Sequence, residues 1–529
     1  MATDRKYPVG IQTFSRIICE GFIYIDKTDL IWELANYATY VFMSRPRRFG
    51  KSLLTSTLEA YFSGQKDLFR GLKIMELEHD WEQYPVIHLD MSVVKGKGSA
   101  DELRRAIVLM LTRFDCYQPN ALEVTPGEIL EGLIRHLYKQ TGRQVVVIID
   151  EYDSPLLDVL HEDEVLEAMR AVMQEFYQPL KAREAMIKFC FITGITKFSQ
   201  LSIFSTINNL KNVSLNPRFS AICGITDHEL QTVFAPDLER MAKVYSCTPH
   251  EMYLKFKDMY DGYHFAHPSE DIYNPYSVLS AFADNHLTCE WFASGTPRFL
   301  IRQMKRFGTD ITNVERIEVM STAFDQPTDD MDDALPLLYQ TGYLTIKDYD
   351  LMTDIYTLAI PNTEVRMGYA RGLIPAYLGL KIRDTQGFTI RFWRALKSGD
   401  IDLAMREMQA YLASLPYIEG FKQKLQDVAT VEGFYEYTFY LIFSSFNELV
   451  RTQVKCAHGR TDMVIKMPDA IYVMELKVHG TAQQALDQIN ERGYALPYLT
   501  DGRRVVKVGI AFDLEQRTVA EWVTECQDS

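Results

Sequence analysis

Two carboxylates and a lysine interrupt an otherwise apolar stretch near the C-terminus. The flanking residues predict two short strands joined by a tight turn at Pro468-Asp469. If that turn is symmetric, Asp462 faces Glu475 across an antiparallel pair, with Cβ atoms about 5 Å apart. Lys477 is two residues beyond Glu475, so it points to the same face of the hairpin.

This trio is costly to arrange on an apolar hairpin for structural reasons alone. It suits a divalent cation, Mg²⁺ or alternatively Mn²⁺, and a water molecule that has to become nucleophilic. Two other interpretations stay open. The hairpin could be a surface element with an exposed ion pair between Glu475 and Lys477, or the domain could bind nucleic acid without cutting it.

A second candidate site is Gly50-Lys51-Ser52, which follows a predicted strand and opens a predicted helix. In that context backbone N–H groups cradle phosphates, Lys51 reaches the β- and γ-phosphates of ATP, and the Ser52 hydroxyl binds Mg²⁺. The standard pattern has glycine five residues before Gly50, where this chain has Arg45. Pro46 is a candidate for stiffening the loop instead. The tripeptide is common, so alone it favours a purely structural role.

Asp150 and Glu151 strengthen the nucleotide hypothesis. They end an apolar strand, where an aspartate orients Mg²⁺ and the following glutamate polarises the attacking water. Thr193 or Thr196, at the end of the next strand, could sense the γ-phosphate. The alternative for Asp150-Glu151 is a simple cap on the following helix.

The elements that position these groups alternate between strands and helices. Such alternation predicts a parallel sheet with helices on both faces. The predicted strands are 40–43, 85–90, 145–150 and 188–194, and the helix after the phosphate loop spans 51–62.

Four regions are expected along the chain. Residues 1–226 form the nucleotide-binding α/β domain, and 227–365 form a helical lid with a winged-helix-like end, whose small hairpin pairs 340–346 with 356–360. Residues 366–430 form a helical connector. Residues 431–529 form a compact α/β domain that contains the C-terminal hairpin.

Composition narrows the function classes. The 529 residues carry a net charge of −15, which argues against a non-specific polyanion binder, so contact with DNA, or alternatively RNA, needs a local basic surface. Candidates are Arg45-Pro46-Arg47-Arg48 and Arg503-Arg504 with Lys507. Eight scattered cysteines fit a reducing cytoplasm better than disulfides or a zinc site. No apolar run of membrane-spanning length or signal peptide is visible, so no membrane partner is expected.

Several of these motifs together resemble the AAA-ATPase-like family, whose members commonly carry a C-terminal PD-(D/E)xK nuclease-superfamily domain. The resemblance implies an α/β fold: a parallel-sheet AAA-type NTPase, the lid, and a PD-(D/E)xK domain. It also implies an ATP site made by the loop residues Arg45, Pro46, Arg47, Arg48, Phe49, Gly50, Lys51 and Ser52, with Asp150 and Thr193. The motifs that carry it are Tyr7-Pro8-Val9-Gly10, Tyr24-Ile25-Asp26-Lys27-Thr28, the loop 45–52, Asp150-Glu151-Tyr152-Asp153 and residues 191–198.

For the C-terminal domain the same resemblance assigns roles. Asp462 and Glu475 are implied as Mg²⁺ ligands, with Glu436 from a preceding helix as a third acid. Lys477 positions the attacking water or stabilises the pentacovalent phosphorus. Gln488 and Tyr494 orient the phosphate backbone.

Three hypotheses follow. The first is an ATP-dependent DNA-processing or phage-defence enzyme in which a nucleotide-driven module controls a nuclease. The second is a signalling NTPase switch that forms nucleotide-dependent homo-oligomers and whose C-terminal domain binds a partner or nucleic acid without cleavage. The third, a nuclease of a mobile element, shares the chemistry of the first.

Overall fold

In the computed structural model the chain divides into two compact units. Contacts between residues assign 1–309 and 314–365 to the first unit, and 310–313 and 366–529 to the second. The four-part division of the sequence stays a prediction. The described residues are 5–197, 209–290, 298–309, 314, 316–327, 331–378, 382–414, 449–456, 459–467, 469–477, 480–513, 516 and 518–527.

A five-stranded parallel sheet is the centre of the first unit. Its order is β2-β3-β4-β1-β5, and every pairing is parallel. Strand β3 is buried along its whole length, as the apolar sequence predicts for a strand covered on both faces. The predicted fold class and strands are confirmed. The strands are β1 Tyr40–Ser44, β2 Val86–Asp90, β3 Val145–Asp150, β4 Ile187–Gly194 and β5 Lys211–Asn212.

Helices flank this sheet and continue beyond it. Sequence signals set their ends: α5 begins at a capping box of Thr125 with Glu128 and stops at left-handed Gly142. The helices are α1 Phe14–Cys19, α2 Thr28–Ala35, α3 Lys51–Phe62, α4 Ala100–Leu111, α5 Pro126–Thr141, α6 Ser154–Leu157, α7 Asp163–Ala182, α8 Asp227–Val233, α9 Ala235–Val244, α10 Pro249–Tyr260, α11 Pro275–Asp284, α12 Arg298–Phe307, α13 Ser321–Phe324 and α14 Leu335–Gln340. Helix α15, Thr363–Leu378, begins in the first unit and lies mostly in the second. Short 3-10 turns cover Lys66–Phe69, Lys73–Glu76, Met91–Val94, Glu184–Met186 and Pro217–Phe219.

Helices α8 to α11 pack around a small aromatic core. The ring of Phe282 stacks on Phe234 and Phe256 at centroid distances of 5.1 and 4.6 Å. Two short strands pair antiparallel beside these helices: β6 Ile225–Thr226 precedes α8, and β7 Ile272–Tyr273 precedes α11.

The end of the first unit has the winged-helix order of elements: α12, β8, α13, α14, β9 and β10, in a sheet ordered β8-β10-β9. The predicted strand 340–346 is partly wrong, because Gln340 ends α14 and Gly342, at φ +87°, turns the chain before the strand begins. The strands are β8 Ile317–Met320, β9 Thr345–Asp350 and β10 Ile355–Ala359.

The second unit contains a mixed sheet in the order β11-β12-β13-β14-β15. Among the described strands of this sheet, the one parallel pair joins Ala470–Lys477 to Arg504–Asp513, and the helix Ala482–Glu491 links the two. Gly509 lets that helix approach the sheet, because a Cβ there would lie 2.1 Å from the carbonyl oxygen of Ala482. The elements are α16 Ile382–Lys397, α17 Ile401–Ala413, β11 Leu449–Cys456, β12 Gly459–Lys466, β13 Ala470–Lys477, α18 Ala482–Glu491, a 3-10 turn Leu496–Tyr498, β14 Arg504–Asp513 and β15 Thr518–Gln527. None of the helices described is long and apolar enough to cross a membrane.

Candidate nucleotide and metal sites

The phosphate-loop candidate connects β1 to α3, as the sequence predicts. Gly50 adopts φ +89° immediately before α3 begins at Lys51, so the first N–H groups of that helix face the loop. Lys51 is buried, and its Nζ donates to the carbonyl oxygens of Arg45 and Pro46 at 3.0 Å each. Burial lowers the pKa of Lys51. The lysine therefore lies inside the curve of the loop, where a bound phosphate would compete for it.

Arg45 replaces the usual glycine by supporting the loop from within the protein. Its side chain is 2% exposed and donates to the carbonyl oxygens of Ser44 at 3.0 Å, Ser214 at 2.8 Å and Phe219 at 3.1 Å. The guanidinium also lies 4.4 Å from the centre of the Phe265 ring. These contacts occupy the Arg45 side chain internally, so its placement favours a loop-supporting role over the nucleotide contact predicted for it.

Pro46 and Phe49 anchor the loop to the later part of the unit. The buried Phe49 ring meets the rings of Tyr263 and Phe265 edge-on, at 4.7 and 5.1 Å. Pro46 packs on Gly342, where an added Cβ would be 2.7 Å from the Pro46 Cβ. The loop is thus braced by the lid and the winged helix.

Arg48 and Arg47 are the other two arginines of the loop. Arg48 has φ +66°, lies 4.0 Å from the Tyr276 ring centre and donates to the carbonyl oxygen of Glu290. Arg47 is half-buried. Both stay candidate phosphate-binding residues.

Arg45→Gly is expected to destabilise the protein, although it restores the standard glycine. The change leaves three carbonyl oxygens without their donor and removes a buried ring contact, with an expected loss of about 3 kcal/mol. The urea midpoint of unfolding measures it. Arg113→Gly, in an exposed turn, is the control and should change the midpoint little. Equal effects of the two substitutions would contradict the supporting role.

Asp150 faces the first turns of α3. Its Oδ2 is 3.4 Å from the Thr55 Oγ1, and that hydroxyl also contacts the carbonyl oxygen of Ser52 at 2.9 Å. Asp150 is 4% exposed. A hydroxyl, a carboxylate and the nearby phosphate loop fit Mg²⁺, which binds through oxygen ligands together with substrate phosphates.

Glu151 has an unusual backbone for its residue type. It adopts φ +49°, a left-handed conformation that costs energy in a residue other than glycine and is frequent at functional sites. Burial raises the pKa of Glu151, with Lys51 opposing the shift and Asp150 and Asp153 adding to it. These features fit the proton-accepting role predicted for Glu151.

Thr193 and Thr196 both use their hydroxyls internally. Thr193 Oγ1 donates to the carbonyl oxygen of Met43 at 2.7 Å, and Thr196 Oγ1 donates to Asp153 at 2.6 Å.

Sequence reasoning missed Thr55 and Asp153 as members of this site. The spacing could have revealed Thr55, since it lies one helical turn beyond Lys51 on α3.

The C-terminal hairpin has the predicted register. Met463 pairs with Met474 and Val464 with Val473, so Asp462 and Glu475 are the next opposed positions. Each carboxylate binds backbone of the opposite strand. The Asp462 N–H donates to Glu475 Oε2 at 3.3 Å, and the Leu476 N–H donates to Asp462 Oδ2 at 2.8 Å. The carboxylates therefore stand between the two strands.

Lys477 and Gln488 converge on the same carboxylate. Lys477 Nζ lies 3.7 Å from Glu475 Oε1, and the Gln488 amide donates to that oxygen. Glu475 is 2% exposed, so the alternative of an exposed surface ion pair is wrong. Burial, reinforced by the charge of Asp462 and opposed by Lys477, raises the pKa of Glu475 to about 8. Such a crowded acidic pair fits a divalent cation, which would favour both ionised forms.

The two other residues predicted for this nuclease site are Glu436 and Tyr494. Glu436 lies outside the described residues. Tyr494 is 3% exposed and belongs to the apolar cluster with Val464, Ile489 and Tyr498. The role implied for Tyr494 by the resemblance, orienting the phosphate backbone of the substrate, stays a prediction.

Glu475→Gln is expected to change how stability depends on pH in the metal-free protein. A carboxyl with a raised folded pKa stabilises below its unfolded pKa, near 4.3, and that contribution is lost as pH rises towards about 8. In EDTA at pH 8.5 the variant should therefore exceed wild type by on the order of 1–3 kcal/mol, with little difference at pH 5. Urea unfolding at both pH values measures this. The exposed Glu491→Gln serves as control, and a pH-independent difference would contradict the expectation.

The fold defines a class: a parallel-sheet α/β domain with a phosphate-loop connection after its first strand, followed by a mixed α/β domain of nuclease type. A family model described as predicted AAA-ATPase matches residues 8–204, and one for the PD-(D/E)XK nuclease superfamily matches residues 430–522. A relative from Azotobacter chroococcum mcd 1, described as an uncharacterized protein in the vnfD 5′ region, is 32% identical over 535 residues, covering 98% of this chain and 99% of the relative. The chain belongs to the family of predicted AAA-ATPases with a C-terminal PD-(D/E)XK nuclease-superfamily domain, which confirms the resemblance found in its motifs.

Proposed function

We propose that this protein is a cytoplasmic, ATP-binding NTPase that controls a Mg²⁺-dependent DNA nuclease carried in the same chain. The observation that supports it most is the cluster of Asp462, Glu475 and Lys477, in the order and register of a phosphodiester-cleaving centre. DNA processing, phage defence and the transfer of mobile elements are the biological settings that this chemistry fits.

The nuclease chemistry follows from charge. A phosphodiester repels nucleophiles, and a divalent cation held by Asp462 and Glu475 would neutralise the phosphate and lower the pKa of a water molecule. Lys477 stabilises the negative charge that develops on phosphorus. Gln488 holds the Glu475 carboxylate in place, since it donates to the Oε1 atom that Lys477 approaches.

In the NTPase unit, the backbone N–H groups at the start of α3 and the Lys51 ammonium would bind phosphates, while Asp150 and Ser52 would hold Mg²⁺. Glu151 accepts a proton from the attacking water. Lys51 has to leave the carbonyl oxygens of Arg45 and Pro46 to reach a phosphate. Binding thus exchanges hydrogen bonds from the ammonium to two neutral carbonyl oxygens for hydrogen bonds to an anionic phosphate, in which both partners are ionised.

The winged helix is a poor candidate for the DNA-binding element. Residues 325–354 contain eight aspartates and one lysine, a net charge of −7, which repels a phosphate backbone. A helix that contacts base edges has to expose its side chains to the major groove, yet Leu337, Leu338 and Gln340 of α14 are buried. DNA contact is therefore assigned to the nuclease domain.

The direct test is cleavage of DNA by the purified full-length protein. Linear duplex, circular duplex and single-stranded DNA are incubated with Mg²⁺, with and without ATP, and with EDTA as the metal-free arm. Cleavage that needs Mg²⁺, changes with ATP and is lost in Lys477→Ala supports the proposal. Absence of cleavage by wild type, or equal cleavage by Lys477→Ala, refutes it.

A second function has support from one observation. Lys51 donates hydrogen bonds to carbonyl oxygens of its own loop. Such a loop suits a protein that holds nucleotide as a signal and does not turn it over rapidly. Under this alternative the chain is a switch that assembles with ATP, and its C-terminal domain binds without cutting. Mass measurement with ATP, with ADP and without nucleotide separates the two: an ATP-dependent oligomer without nuclease activity favours the switch.

A further inference from the structure

The turn that carries Glu151 is bonded to the end of β4. The Tyr152 N–H donates to the carbonyl oxygen of Thr193 at 3.1 Å, and the Tyr152 hydroxyl donates to the carbonyl oxygen of Thr196 at 2.9 Å. Tyr152 follows Glu151 directly and is fully buried. These bonds therefore hold the left-handed backbone of Glu151, a conformation that its residue type disfavours, from outside the turn.

Asp153 joins the same two segments a second time. Its carboxylate accepts hydrogen bonds from the Ile195 N–H at 3.1 Å, and from the Thr196 N–H and hydroxyl at 2.7 and 2.6 Å. The Asp153 side chain is fully buried. Gly194 leaves room for it, since a Cβ at that position would lie 2.4 Å from Asp153 Oδ1. A shift of the segment after β4 would therefore be passed to the turn that carries Glu151.

The winged helix binds the same segment at Lys197. The Lys197 N–H donates to Gln340 Oε1 at 2.7 Å, and Gln340 Nε2 donates to the carbonyl oxygen of Gln326 at 2.9 Å. The Lys197 ammonium forms an ion pair with the Asp325 carboxylate. Lys197 is 9% exposed and Gln340 is 4% exposed, so water does not readily replace these partners.

We propose that Asp325 and Gln340 of the winged helix are positioning residues for ATP hydrolysis. They hold Lys197, and the segment that ends at Lys197 holds the turn where Glu151 accepts a proton from the attacking water. The inference rests on the proposed hydrolysis at Glu151 and extends it to residues that are far from Glu151 in sequence.

Two motifs gain roles in this way. Asp153 ends the motif that begins at Asp150, and Lys197 lies in the motif 191–198, yet the proposed phosphate chemistry uses neither residue. The winged helix gains a role as well, since its charge makes it a poor DNA-binding element. Protein interiors are close-packed and transmit a displacement through such contacts, so the winged helix and the turn of Glu151 are expected to be coupled.

The test measures hydrolysis and binding separately on the full-length protein. Steady-state hydrolysis of ATP with Mg²⁺ gives kcat, and calorimetry with a slowly hydrolysed ATP analogue gives Kd. We expect Asp325→Asn and Gln340→Leu each to lower kcat about tenfold to 100-fold, because a displacement of about 1 Å takes a general base out of its productive geometry. The Kd should stay within about twofold of wild type, since the residues of the phosphate loop are unchanged.

Asp348→Asn is the matched control for Asp325→Asn. Asp348 is exposed on β9 of the same winged helix, so the same chemical change there should leave kcat and Kd as in wild type.

A double variant, Asp153→Asn with Gln340→Leu, tests the route between the winged helix and Glu151. If Asp153 and Gln340 act through the same turn, the loss of kcat in the double variant should be clearly smaller than the product of the two single losses. Losses that multiply would overturn the route through Asp153.

The outcomes separate this inference from the proposal beneath it. If Glu151→Gln lowers hydrolysis but Asp325→Asn and Gln340→Leu hydrolyse ATP like wild type, the positioning role is overturned and the proposed ATP site stands. A Kd that rises as much as kcat falls also overturns it, because the contacts would then support the whole site and not the turn. Absence of hydrolysis by wild type, or wild-type hydrolysis by Glu151→Gln, refutes the proposed hydrolysis and this inference with it. Should Gln340→Leu not fold, the result for Asp325→Asn decides.

Discussion

Asp462→Asn abolishes Mg²⁺-dependent DNA cleavage, with an expected fall of at least about 1000-fold. The substitution keeps the size of the side chain and removes the charge that would hold a cation opposite Glu475. ATP binding should be unchanged, because the phosphate loop belongs to a different part of the chain. Initial rates of cleavage, measured on the DNA form that wild type cuts best, give the factor.

Asp469→Asn is the matched control. Asp469 is exposed in the turn of the same hairpin, so the same chemical change there should leave cleavage within about twofold of wild type. Comparable losses in the two variants would show that the effect comes from hairpin stability and not from the metal site. Tighter binding of DNA by Asp462→Asn without cutting is compatible with the proposal, since removing a carboxylate lowers repulsion of phosphate.

Lys51→Ala weakens ATP binding by at least about 100-fold, the second large effect. Lys51 supplies the one ammonium group that the loop holds within its curve, and its loss also leaves the carbonyl oxygens of Arg45 and Pro46 without a donor. Calorimetry with ATP and Mg²⁺ measures the change. If ATP controls the nuclease, the ATP-dependent part of cleavage disappears with it, while Mg²⁺-dependent cleavage without ATP remains.

Lys139→Ala, at an exposed position of α5, tests whether loss of any lysine has this effect. It should bind ATP as wild type does. Wild-type affinity in Lys51→Ala would refute the phosphate-loop assignment, because no other group is proposed to take over the role of this ammonium.

The hairpin could be predicted from sequence to the level of individual pairs. Alternation of two faces leaves few registers open, and a two-residue turn at Pro468-Asp469 fixes one of them. The parallel sheet was equally accessible, because the strand that ends at Asp150 is apolar throughout and could only be a covered strand. Local patterns sufficed wherever the partners were near in sequence or the whole segment was buried.

Arg45 shows the kind of contact that such local patterns do not predict. Its type suggests a phosphate ligand, but its acceptors are carbonyl oxygens of residues 214 and 219, which no spacing in the sequence connects to it. A cavity beside the start of α3 could not be predicted for the same reason, since its wall residues Pro8, Ile25, Cys223 and Leu279 meet only in the folded chain. The left-handed backbone of Glu151 is likewise imposed by its surroundings, as its residue type disfavours it.

The internal hydrogen bonds of Lys51 have a consequence for how the protein behaves in a cell that is short of ATP. Because the ammonium group bonds to carbonyl oxygens of its own loop, the loop keeps its shape when nucleotide is scarce. Such a protein stays folded without ATP, so the fraction of molecules that hold nucleotide can follow the ATP concentration of the cell. If the C-terminal domain cleaves DNA as proposed, cleavage would then depend on the metabolic state of the cell.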